Sequence, residues 1–179
     1  MDDRNAEWEI RPGREADAEV LSVLALETWP ATYLHAGISP AYAHYMLTTF
    51  SPEGFATALR SGEAGLLVAS GDGGLGGYAR FAPTRDAELL PHGATELETL
   101  YVRPALQGRG LGHLLLAGVI ERTRAEGAGG LVMTVNSENR RALSFYARQG
   151  LRDRGEWLFH LDGEAIPNRI ISLPIPPAD

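Results

Sequence analysis

One stretch constrains this chain more than any other: Glu96 to Glu121, ELETLYVRPALQGRGLGHLLLAGVIE. Its first seven residues are rich in β-formers and set Leu97, Thr99 and Tyr101 against Glu96, Glu98, Leu100 and Val102, the period of a strand. Pro104 ends that strand, since it has no N–H to give a ladder. Gln107-Gly108-Arg109-Gly110-Leu111-Gly112 follows, and then Leu111, Leu114, Leu115 and Val119 fall on one helical face. Glycines at the mouth of a helix let a ligand approach bare N–H groups, and the helix dipole favours an anion there. A strand, a glycine turn and a helix in this order predict a phosphate-bearing ligand at the start of the helix. A ligand-free strand–helix turn would use the same glycines, so the turn alone leaves both readings open.

Two absences narrow the chemistry. The 179 residues contain no cysteine, which excludes disulfides, thiolate metal sites and a cysteine acyl-enzyme. All 16 basic residues are arginine, so there is no Walker lysine, Schiff-base lysine or lysine general base. The net charge of −7 argues against nucleic-acid binding, which needs a basic footprint, and mildly favours a cationic small molecule or basic peptide. No apolar run reaches the roughly 18 residues of a membrane span, and the acidic start MDDRNAEWEI is unlike a secretory signal. The expectation is a cytoplasmic protein without membrane contact. The five histidines show no metal-ligand spacing, so no metal is expected.

The remaining elements follow from periodicity and punctuation. Trp8–Arg11 predicts a strand ended by Pro12-Gly13, and Glu15–Thr32 a helix with Val20, Leu21, Leu24 and Thr28 at helical spacing and a bend or stop at Pro30. Ser39-Pro40 and Ser51-Pro52 each place a capping serine before a proline at the first helical position, predicting short helices at about 40–49 and 52–60. Strands are expected at Leu66–Ser70, Tyr78–Ala82 and Leu131–Val135, then a helix Asn136–Gln149 closed by Gly150. Leu151–Leu161 and Arg169–Leu173 read as a final antiparallel pair about Asp162-Gly163; these exposed last strands would allow a homodimer. Pro83–Gly93 reads as a polar loop. The prediction is one mixed α/β (α+β-like) domain over 1–179, with its core at about 8–173 and a frayed tail at 174–179.

Residues 71–76 match Gly-x-Gly-x-x-Gly after a strand, but the dinucleotide fingerprint needs a helix next and Gly77-Tyr78-Ala79-Arg80-Phe81 is strand-like. They predict a glycine-rich hairpin. Residues 107–112 instead match Gln/Arg-x-x-Gly-x-Gly/Ala in the right context on both sides. Downstream, Asn139 to Leu151 reads N-x-x-A-x-x-F-Y-x-x-x-G-L. With these two motifs, over about 95–151, the chain resembles the GNAT superfamily of N-acetyltransferases. The strand Glu-Leu-x-x-Leu-Tyr-Val and Trp-x-x-x-Tyr near the N-terminus are similar to small-amine and polyamine members.

The resemblance implies a central, mostly antiparallel sheet, splayed at the cofactor-binding strand and flanked by helices, and it implies acetyl-CoA as co-substrate. The pyrophosphate would be held by Gln107, Gly108, Arg109, Gly110, Leu111, Gly112 and His113, the last through its backbone with its side chain turned away. The pantetheine arm would pair with the strand at Leu100, Tyr101 and Val102, and Asn136, Asn139 and Tyr146 would add contacts. Tyr146 matches the family's acid, which protonates the leaving thiolate; a tyrosine that only packs is the alternative. Glu98 or Glu96 would serve as base, directly or through water, although either carboxylate could equally be a solvated strand residue. Trp29 and Tyr33 would line the acceptor cleft, whereas aromatic pairs at this spacing are more often core. The implied reaction is direct acetyl transfer to a primary amine, of a small molecule or a peptide, in a ternary complex. A non-catalytic acyl-CoA sensor or interaction module on the same fold is the competing reading. The acceptor amine, the acyl length and the oligomeric state are not written in these motifs.

Overall fold

The computed structural model describes residues 8–34, 37–84, 93–161 and 163–176. Most of the expected polar loop, Asp162 of the expected turn and the end of the tail lie outside them. In chain order the elements are β1 Glu9–Pro12, α1 Ala18–Tyr33, α2 Pro40–Thr49, α3 Pro52–Ser61, β2 Gly65–Gly71, β3 Gly74–Pro83 and β4 Ala94–Val102. Then come α4 Leu111–Ala125, β5 Gly130–Asn136, α5 Arg140–Arg148, β6 Arg152–Leu161 and β7 Glu164–Pro174. The seven strands form one sheet in the order β1-β2-β3-β4-β5-β7-β6. β4 and β5 pair in parallel, whereas β1–β2, β5–β7 and β6–β7 pair antiparallel. The β4–β5 ladder covers only Ala94–Glu96 against Gly130–Val132, although both strands continue beyond it.

Contacts divide the chain into two compact units, one drawn from Met1–Arg80 and Thr99–Val119, the other from Phe81–Glu98 and Ile120–Asp179. In the first, α1, α2 and α3 bury Leu21, Leu24, Ala25, Trp29, Met46, Phe50 and Phe55 with Leu66, Val68 and Tyr78 of the sheet. Each leucine buried this fully contributes roughly 1.5–3 kcal/mol. Helix α4 covers other sheet residues: a Cβ at Gly118 would lie 3.0 Å from Leu67 and 3.3 Å from Ile10. In the second unit, Leu131, Val132 and Met133 of β5 are buried on both faces, together with Ile171 and Ser172 of β7.

Both serine caps form as the serine–proline pairs predict, with Ser39 accepting from Tyr42 N and Ser51 from Gly54 N. Several details differ from expectation. Residues Glu15–Asp17 make a 3₁₀ turn before α1, and Pro30 does not end that helix, which continues to Tyr33. Pro30 still accepts from Leu34 N at 2.9 Å, and the buried Trp29 beside it anchors the turn, so packing outweighs the missing donor. Val20 is exposed; the buried face of α1 centres on Leu21, Ala25 and Thr28. Leu114 is likewise exposed, because five steps of about 100° put it about 140° round from Val119, while Leu116 joins Leu111 and Leu115 inside. β7 starts earlier than predicted despite Pro167. That proline lies just past the last β5 pair, Asn136–Asn168, so its missing N–H costs no bond to β5.

The 3₁₀ turn is pinned by charge. Arg11 donates to both carboxylate oxygens of Asp17 at 2.8 and 2.9 Å, and Arg14 N donates to Oδ2 at 2.7 Å. The Arg11 bond is the largest cause of a lowered Asp17 pKa, against opposing desolvation. A carboxyl lowered in the fold stabilises it above the ordinary value of about 3.9, and that stabilisation disappears as pH falls through the lowered one. Asp17→Asn should therefore cost on the order of 1–2 kcal/mol at pH 7 in urea unfolding, and the gap to wild type should close below about pH 4. A gap that stays constant with pH would show that the ion pair is not its source.

Candidate active site

The end of β4 is fixed before the glycine turn begins. Gly77 on β3 lies so close that a Cβ there would stand 2.6 Å from Tyr101 O and 3.3 Å from Val102 Cα. Arg103 N then donates to Gly76 O at 3.0 Å. The Arg103 guanidinium makes two bonds to Glu27 of α1, at 2.6 and 3.1 Å. Residues Pro104–Leu106 form a 3₁₀ turn, and Gln107 Nε2 reaches back to Val102 O at 3.0 Å, closing the turn onto the strand end.

Gly108 and Gly110 have φ of 81° and 88°, and a Cβ on either would meet nothing within 4 Å. Backbone conformation, not crowding, requires glycine at both positions. Leu114 N bonds back to Gly110 O at 3.1 Å, so the N–H groups of Leu111 and Gly112 precede the helical ladder and sit at its positive end. Leu111 is buried against Gly76, while Arg109 and His113 are exposed and Gly112 is half-buried. The turn is thus rigidly held, open in front and rich in donors, which suits a pyrophosphate.

Strand β4 presents its candidates by alternation. Tyr101 packs with its ring 5.6 Å from Tyr78 and 6.3 Å from Phe50, Val102 is buried, and Leu100 is half-buried. Trp29 is only 7% exposed and stands among the rings of Tyr33, Tyr42, Tyr45 and Phe50 at 5.3 to 6.5 Å. Its packing is that of a core residue, whereas Tyr33 stays half-buried at the margin. Burial also pushes the Tyr45 phenol up from its ordinary pKa.

In the second unit, Glu98 is exposed and Glu96 is half-buried, with the Thr84 hydroxyl donating to Glu96 Oε2 at a long 3.5 Å. The predicted start of α5 at Asn136 is corrected to Arg140, because the four residues before it form a side-chain cap. Asn136 Oδ1 accepts from Glu138 N at 2.7 Å, Asn139 N bonds Asn136 O at 3.0 Å, and Asn139 Oδ1 accepts from Ala142 N at 3.0 Å. The structure therefore brings the two asparagines together, with both Oδ1 atoms engaged. Tyr146 is 7% exposed, edge-on to Phe145 at 5.1 Å.

Residues 23–151 match the model of the acetyltransferase (GNAT) family, well over half of the chain. The chain belongs to that family. An uncharacterized N-acetyltransferase of Mycobacterium bovis is 30% identical over 145 residues, covering 81% of this chain and 89% of its own. A Pseudomonas aeruginosa acetyltransferase named for L-methionine sulfoximine and L-methionine sulfone is 33% identical over 102 residues, covering 57% of this GNAT chain and 58% of its own. The fold is similar to that of the PaiA N-acetyltransferase of Thermoplasma acidophilum, solved in complex with coenzyme A. Its TM-score is 0.72 at 21% identity, over 94% of this chain and 99% of that one. Among the described residues of this GNAT protein no group of His, Cys, Asp or Glu could hold a metal ion, and no helix is long and apolar enough to cross a membrane.

Sequence reasoning missed the Glu27–Arg103 pair, which joins positions 76 apart and leaves no local signal. It read Gly76 into a hairpin and Gly77 into a strand but missed their close packing, although adjacent glycines inside a strand are a sign of close backbone approach. Gly77→Ala should lower urea stability by roughly 2 kcal/mol or more, because backbone must move, whereas Gly108→Ala should cost only about 1 kcal/mol for its left-handed backbone. Equal losses in the two variants would contradict this difference.

Proposed function

We propose that this protein transfers an acetyl group from acetyl-CoA to the primary amine of a small molecule, by direct attack in a ternary complex. The observation that carries this reading is the glycine turn at the mouth of α4, with left-handed Gly108 and Gly110 tied to β4 through Gln107. Coenzyme A would supply the activated thioester, its pyrophosphate held by the amides from Gly108 to His113. Leu100, Tyr101 and Val102 lie beyond the β4–β5 ladder, which favours their backbone as partner for the pantetheine amides. Asn139 uses Oδ1 for the α5 cap and Asn136 uses its own for the turn before it, so each would offer its Nδ2 to the cofactor.

The residues that move protons follow from the chemistry. A primary amine near pH 7 is protonated and must lose a proton before it attacks. Glu98, or Glu96 through water, accepts that proton. Tyr146 gives its own to the departing thiolate, as a phenol hydroxyl can. Trp29 and Tyr33 would bound the acceptor from α1, Trp29 as the support and Tyr33 as the accessible ring. Relatives named for L-methionine sulfoximine and for L-amino acids favour a small amino-acid-like acceptor over a peptide.

Tyr146→Phe should lower kcat roughly 10²-fold while leaving the calorimetric Kd for acetyl-CoA within about twofold of wild type. Unchanged turnover would remove Tyr146 from proton transfer. For the base, either Glu98→Gln or Glu96→Gln should abolish the acidic limb of the kcat–pH profile; if both keep it, the base is another residue. Thiol release measured across a panel of amines separates an enzyme from a sensor, since a sensor would release none. Ping-pong kinetics with a trapped acyl-protein would refute direct transfer.

A further inference from the structure

The two ends of the sheet differ sharply. At one end, β1 has four residues and finishes in proline, a blunted edge that offers little to another strand. At the other, β6 has ten residues, all but Arg154 paired to β7 on its inner side. Its first part is also blunted: Arg152, Asp153 and Arg154 are charged, and the register shifts between Asp153 and Gly155. From Trp157 to Phe159 there is no such protection. Leu158 is 53% and Phe159 37% exposed, and half-buried Trp157 precedes them. A long edge with apolar side chains on both faces is a template for another strand.

The pattern around Leu158 identifies that strand. We infer that β6 pairs antiparallel with β6 of a second copy of this chain, about a two-fold axis at Leu158. A two-fold axis perpendicular to the sheet keeps each side chain on its own face, so the axis must pass through a residue. Centred on Leu158, it sets Trp157 opposite Phe159, Glu156 opposite His160, and Leu158 opposite itself. Each pairing is favourable: aromatic with aromatic, carboxylate with imidazole, and leucine with leucine. Centred on Glu156, it would oppose two carboxylates; centred on Trp157, it would set Arg154 against His160 and Glu156 against Leu158. Of these three registers, only the one at Leu158 sets ring against ring and a carboxylate against an imidazole. Glu156 is available for it, being 85% exposed with one 3.5 Å contact to Arg169.

The absence of cysteine makes the test clean. Leu158→Cys should oxidise to a covalent dimer, since only this register puts residue 158 against itself, whereas Ile38→Cys, also on an exposed residue, should stay monomeric. In sedimentation velocity the wild-type chain should be dimeric at tens of micromolar. Glu156→Lys should weaken the dimer about tenfold or more by facing His160 with a cation, and Glu156→Lys with His160→Glu should restore it. A monomeric wild type, cross-linking at residue 158 no better than at 38, or failure of the double variant to recover would each overturn the inference.

Discussion

At Gly77 two strands come closer than any side chain allows, and the glycine turn at 107–112 depends on that contact. With a hydrogen in place of Cβ, β3 lies against Tyr101 O, and Arg103 N bonds Gly76 O. This fixes where β4 ends. Gln107 then has a defined carbonyl, Val102 O, to close upon, and Arg103 a defined direction toward Glu27. Leu111 and Leu115 of α4 sit over the same two glycines, their terminal carbons 2.8 and 3.2 Å from where a Cβ would be. An anion site is useful only if its donors are ordered before the ligand arrives, because ordering them afterwards weakens binding. Here the ordering is supplied by the core of the unit.

The same economy explains the aromatic residues of the first unit. Trp29 packs against rings from α1 and α2, and Tyr101 joins Tyr78 and Phe50. Residues on the strand that leads to the turn and on the helix that carries Glu27 are therefore parts of one packed cluster. Mixed use also marks the second unit. Asn139 caps α5 with its oxygen, Asn136 Oδ1 holds the turn before it through Glu138 N, and Tyr146, within that helix, has a mostly buried ring. These bonds account for the asparagine oxygens without any ligand and leave only the amide groups unused by them.

The sequence by itself determined what local chemistry controls. Serine–proline pairs set the starts of α2 and α3, and Gly150 marked the close of α5. The order of strands and helices and the resemblance carried by 107–112 and 139–151 were equally legible, because turn residues and hydrophobic periods act over a few positions. Tertiary structure decided what depends on distant partners. Pro30 stays inside a helix because Trp29 is buried, and Val20 and Leu114 face solvent although their spacing is apolar. Gly76, the last glycine of the fingerprint match at 71–76, and Gly77 beside it serve close packing instead. The Glu27–Arg103 pair and the early start of β7 are set by neighbours far along the chain. The glycine turn could be read as an anion site from six residues; that it is held rigid could be seen only once β3, β4, α1 and α4 were in place.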